Sequence, residues 1–106
     1  MTRVKYRPGP CGFNAVVTAE TTEDEDVRIT IDTACPHVRK MMETLGDTFE
    51  PMTTCMCRPG ADVFHEYASE NYPIHSGCPS IIAILKCMEA EAGLALKADV
   101  KVEFAD

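Results

Sequence analysis

The stretch from residue 13 to residue 32, FNAVVTAETTEDEDVRITID, decides the fold. In its first part Phe13, Ala15, Val17 and Ala19 fall on one side, with Asn14, Thr18 and Glu20 on the other beside Val16. In its last part Val27, Ile29 and Ile31 alternate with Arg28, Thr30 and Asp32. A period of two with one apolar face is the pattern of a half-buried strand. The link TTEDED, residues 21–26, carries four like charges and no apolar residue, so it reads as a solvated turn joining two strands.

Working outward, CPHVRKMMETLG places Pro36 at a first helical position, spaces Val38, Met41, Met42 and Leu45 as one stripe, and stops at Gly46. FEPMTTCMCRPGA, residues 49–61, reads as irregular, and DVFHEYASENY as a shorter helix through Val63, Phe64 and Tyr67 that Pro73 ends. From Pro79 to Ala92 the residues Ile81, Ile84, Leu85, Met88 and Ala92 recur at helical spacing before Gly93. ALKADVKVEF then alternates Ala98, Val100, Val102 and Phe104 against Asp99, Lys101 and Glu103, which predicts a third strand. Residues 1–10 read as an extended N-terminal arm.

The predicted architecture is one α+β domain over residues 1–106. It has a single layer of three-stranded mixed or antiparallel sheet in the order 2-1-3, covered on one face by two to three helices. The first hairpin strand sits in the centre because Val16 keeps its outer face partly apolar, and the third strand runs parallel to the second. A length of 106 residues with 45% apolar content suffices for one core.

A formal charge of -7 argues against nucleic acid despite Arg3, Lys5 and Arg7. No apolar run reaches the roughly 18 residues of a membrane span, and no signal peptide opens the chain, so the expectation is a soluble cytoplasmic protein. The open sheet edges leave room for a homodimer.

Six cysteines (11, 35, 55, 57, 78 and 87) in a reducing compartment suggest metal, redox or sulfur chemistry, set against the ordinary burial of a small apolar residue. Strand parity sharpens the choice. With Ala19 opposite Val27, Cys11 faces Cys35; a slip of two residues leaves them diagonal neighbours within roughly 7 to 8 Å.

The helix opening at Cys78-Pro79 returns to the same end, and His75 lies three residues before it. Cys11, Cys35, Cys78 and His75 are therefore the candidate metal ligands, a set that suits zinc or an iron–sulfur cluster. Cys35 and Cys78 both precede prolines, where free helix amides favour a thiolate, so Cys78 is also the candidate nucleophile of a thiol enzyme. A third reading is a structural or interaction module with inert, buried thiols. Cys55 and Cys57 read as an accessible loop pair or as residues without a role, and Cys87 as core. His37 lies within reach of the site, His65 reads as a satisfied helix histidine, and Tyr67 and Tyr72 offer no catalytic geometry.

The motifs PCGF, CPHV and HSGCPSIIAILKCMEAEAGLALKADVKVEF resemble a small family of unknown function from archaea and anaerobic bacteria, over nearly the whole chain. That resemblance marks Cys11, Cys35, His75 and Cys78 and implies no activity. Locally, Cys78-Pro79 followed by Lys86 is similar to the Cys-Pro helix opening of small sulfur-carrier proteins, with Ile81 in place of their second proline. This likeness implies a persulfide-accepting thiol.

Overall fold

The structure, a computed structural model, describes residues 1–71 and 75–106. Tyr72 and Pro73, the expected helix stop, lie outside the described residues. Along the chain come β1 (Thr2–Tyr6), β2 (Ala15–Thr21), β3 (Val27–Thr33), α1 (Pro36–Leu45), β4 (Thr48–Phe49), α2 (Pro51–Cys55), α3 (Val63–Asn71) and α4 (Ser80–Glu91). The strands form one antiparallel sheet in the order β1-β2-β3-β4.

The hairpin forms as the alternation predicts, with Ala15, Val17, Ala19, Val27 and Ile29 buried and the odd-numbered Ile31 half-buried. Phe13 falls outside β2 and is exposed. The turn closes two residues tighter than Ala19 opposite Val27: the pairs are Thr21 with Val27 and Ala19 with Ile29. Thr22 accepts from the Glu25 amide and donates its own amide to the Asp26 carbonyl, while Glu25 takes a positive φ of 67°. Parity survives this slip, so every inward residue stays inward.

Two expectations about the sheet are corrected. The central strand is flanked not by residues 98–104 but by the supposed N-terminal arm: Thr2–Tyr6 pairs antiparallel with Ala15–Ala19, and every strand pair among the described residues is antiparallel. Residues 98–104 form no strand, and Val102 and Phe104 are 92% and 100% exposed. Both segments alternate, but β1 reaches β2 through a short local loop, which closes at a lower entropy cost than a return from the far end of the chain. Arg3 and Lys5 are solvated outward residues of this edge strand, not the mark of an unstructured arm. The segment expected to be irregular contributes β4 and α2 instead; Glu50 caps α2 by accepting from the Thr53 amide, and Pro51 begins it.

The core lies between the sheet and the helices, where Ile81, Ile84, Cys87 and Met88 of α4 meet Val17, Ala19, Val27 and Ile29. Phe49 and Phe64 close its far side with ring centroids 4.9 Å apart. Asp62, itself buried, opens α3 by accepting from the amides of Phe64 and His65 and from the His65 ring. His65 is thereby a satisfied helix histidine.

Polar bonds tie α4 to the sheet at both ends. At its C-terminal turn Glu91 accepts from the Thr2 hydroxyl at 2.8 Å and from the Thr21 hydroxyl and amide at 2.8 and 3.0 Å. Burial alone raises a carboxyl; here the bonds from Thr21 and Thr2, with the nearby N-terminal ammonium, outweigh it and hold Glu91 down at about 2. At its first turn Ser80 meets Tyr6.

Candidate thiol site

Tyr6, Ala15 and Thr33 stand in one row across the end of the sheet, since Tyr6 pairs with Ala15 and Ala15 with Thr33. The three chain segments that leave or approach this end carry the cysteines singled out from the sequence. Cys11 is exposed on the loop between β1 and β2, where Gly9 and Gly12 both take positive φ and the Gly12 amide bonds to the Gly9 carbonyl. Cys35 is the N-cap residue of α1; its amide donates to the Thr33 hydroxyl at 3.1 Å, and its side chain makes no capping bond. Cys78 precedes Pro79, which is itself the N-cap of α4, so Cys78 stands one position further out than its Cys-Pro opening suggested. Its amide closes a turn onto the His75 carbonyl at 3.0 Å.

A hydrogen-bonded chain joins this end of the molecule. The Tyr6 hydroxyl donates to Ser80 Oγ at 2.8 Å, and Ser80 Oγ lies 3.0 Å from Cys78 Sγ. Ser80 is 2% exposed. Because its oxygen accepts from Tyr6, its own proton is free to point at the Cys78 sulfur.

Burial raises the Tyr6 phenol; the Ser80 bond works against this, and Cys78, Cys35 and Cys11, in that order, push it further up. The phenol therefore stays protonated and remains a donor. Of the three thiols, Cys78 is tied to Tyr6 through Ser80, while Cys11 and Cys35 stand on the segments that leave the same end of the sheet.

The expected facing pair is corrected. The β2–β3 ladder ends at Ala15 and Thr33, so Cys11 and Cys35 lie beyond it, one on the β1–β2 loop and one at the start of α1, and are not a ladder pair. Among the described residues no group of three or more His, Cys, Asp or Glu side chains is placed to hold a metal ion. His75 is exposed, with Nδ1 lying over Gly77, and His37 is exposed on α1. The three cysteines lie on segments at one end of the sheet, and among the described residues nothing joins His75 to them beyond its turn with Cys78.

The other thiols are of a different kind. Cys87 is fully buried, with its sulfur 3.3 Å from the Thr2 carbonyl, and burial followed by Glu91 pushes it up to about 11. Burial, then Glu89 and Cys57, push Cys55 to about 12. Cys57 points its sulfur back at the Thr54 carbonyl. Cys55 and Cys87 are held protonated, as apolar surroundings require.

On the outer face of the sheet, where Lys5, Val16 and Asp32 stand in one row facing away from α4, opens a depression of about 340 Å³ lined by Lys5, Tyr6, Arg7, Asn14 and Asp32 among others. Sequence reasoning missed both Tyr6 and Ser80. Ser80 carried a signal, because it stands four residues before Ile84 and so on the apolar stripe of α4, where a polar side chain needs a partner.

Fold and site together define an α+β domain with a cluster of cysteines at one end of an antiparallel sheet. A family model described as a family of unknown function (DUF6951) matches residues 2–104, and the chain belongs to that family. No curated protein and no solved structure matches it. Among the described residues, no helix is long and apolar enough to cross a membrane.

Proposed function

We propose that this protein is a thiol-dependent sulfur acceptor in which Cys78 is the reacting residue. The observation that carries this reading is the Tyr6–Ser80–Cys78 chain, which sets Cys78 Sγ 3.0 Å from a buried hydroxyl that accepts from Tyr6 and keeps a proton to donate. The step is the attack of the Cys78 thiolate on the outer sulfur of a persulfide donor, R–S–SH. A sulfur–sulfur bond forms at Cys78, the donor's sulfur–sulfur bond breaks, and the donor leaves as the thiolate R–S⁻.

The test is intact-mass analysis of the reduced protein after exposure to a low-molecular-weight persulfide. A gain of one sulfur atom, mapped to Cys78 and lost in Cys78→Ser, supports the reading. Transfer to the exposed Cys11 with none at Cys78 overturns it.

A second reading rests on a different observation: the three segments that carry Cys11, Cys35 and Cys78 meet the same end of the sheet, at Tyr6, Ala15 and Thr33. In it these thiols, with His75, hold zinc or an iron–sulfur cluster, as donors of this softness suit. Protein purified without oxygen then carries stoichiometric zinc or iron, and loses it when Cys11, Cys35 and Cys78 are replaced together by serine. Metal-free protein from that preparation ends this reading and leaves the first intact.

A further inference from the structure

The C-terminal segment and the outer edge of β1 have complementary unmet needs. Residues 98–104 keep the two-residue alternation of a strand, yet Leu96, Val100, Val102 and Phe104 are all exposed, the last completely. Lys101 and Glu103, two residues apart, form an ion pair at 3.2 Å, as side chains on one face of an extended chain do. Across the sheet, β1 pairs on one side only among the described residues, and it leaves Val4 and Tyr6 half-buried on the core side with Arg3 and Lys5 exposed on the other. An edge of this kind is a template for another strand.

We propose that the segment 98–104 of each chain adds as a strand to the β1 edge of a second copy, so that two chains exchange their C-terminal strands about a two-fold axis. The occupant is fixed by three observations. The segment stands exposed from Leu96 onward and is not paired with its own β1. Its outward row Asp99, Lys101, Glu103 is net acidic, whereas the outward row of β1 is the basic pair Arg3 and Lys5. Its inward row of Val100, Val102 and Phe104 continues the row of Val4 and Tyr6 on the face that α4 covers.

Donor strand and acceptor edge are on the same molecule, so one operation satisfies both in both copies, the closed arrangement of a two-fold dimer. The family match reaches residue 104 and so includes this segment. The inference stands independently of the thiol chemistry.

Sedimentation of the full chain under reducing conditions tests it. The expected result is a dimer, and Val102→Asp with Phe104→Asp gives a folded monomer that keeps a cooperative thermal transition. In a parallel series that spares the apolar residues, Arg3→Glu with Lys5→Glu weakens the dimer about tenfold, since like charges then face across the pair. Adding Asp99→Lys and Glu103→Lys restores it. A monomeric full chain, as strand return onto its own edge would give, overturns the proposal. So does a dimer indifferent to the apolar substitutions, or a charge exchange that restores nothing.

Discussion

Replacing Ser80 by alanine removes the central member of the chain from Tyr6 to Cys78. Ser80 sits at the first helical position of α4, where alanine is an acceptable residue, so a loss comes from the two hydrogen bonds and not from helix propensity. The Tyr6–Ser80 bond, at 2.8 Å and partly buried, contributes about 1 kcal/mol, and the half-buried phenol it strands recovers only part of its hydration. A total of about 1–2 kcal/mol follows, which moves a urea midpoint by roughly 1 M and a melting temperature by roughly 5–10 °C for a domain of this size.

Tyr6→Phe leaves Ser80 its sulfur partner and costs less, about 0.5–1 kcal/mol. The two changes combined are less harmful than their sum by about 1 kcal/mol, because they share one bond. Alkylation of Cys78 at neutral pH, followed by mass spectrometry, slows ~3–10-fold in Ser80→Ala as the sulfur loses its hydroxyl partner. Unchanged stability together with unchanged Cys78 alkylation in Ser80→Ala refutes the hydrogen-bonded chain as the basis of the site.

Glu91→Gln weakens the fastening of α4 to Thr2 and Thr21 and lowers stability at neutral pH by about 2 kcal/mol. Since the folded carboxyl lies at about 2 against an ordinary value of 4.5, its contribution is complete above 4.5 and is lost as pH falls toward 2. Urea midpoints of the two proteins therefore converge over that acid window; a gap that stays constant contradicts the assignment. Timed alkylation of the native protein labels exposed Cys11 first and spares Cys55 and Cys87 until unfolding, and early labelling of Cys87 would show that the α4–β1 contact opens readily. Phe64→Ala, at a fully buried ring packed on Phe49, costs about 3–5 kcal/mol in chemical denaturation, most of the stability of a marginal domain.

The hairpin and helices α1 and α4 were legible because each carries a single clear period and ends on a turn or stop signal, and α3 followed from the spacing of Val63, Phe64 and Tyr67. The edge was not, because Thr2–Tyr6 and 98–104 alternate equally well, and alternation says nothing about which of two candidates reaches the central strand. Helix α2 was hidden by its length: five residues with Thr53 and Thr54 give no stripe, and a cap from Glu50 is what starts it. In the site, parity placed Cys11 and Cys35 at one end of the sheet even though the register slipped by two, since a shift by an even number preserves faces. It could not show that both cysteines lie past the last ladder pair. Tyr6 was missed with its strand, and His75 was grouped with Cys78 by spacing alone, although it lies exposed outside the hydrogen-bonded chain.

The fastening of β1 by α4 also governs when the site comes into being. Tyr6 and Ser80 are 74 positions apart, and Thr2 and Glu91 are 89 apart, so the first strand waits for the last helix. During synthesis the β2–β3 hairpin can close early on its local turn, while Cys11 and Cys35 emerge without the partner that gathers them. An unfinished or C-terminally clipped chain thus exposes its cysteines separately. Only a copy that has brought both ends of this stretch together forms the Tyr6–Ser80–Cys78 chain, so the chemistry proposed for Cys78 would depend on completion of the fold.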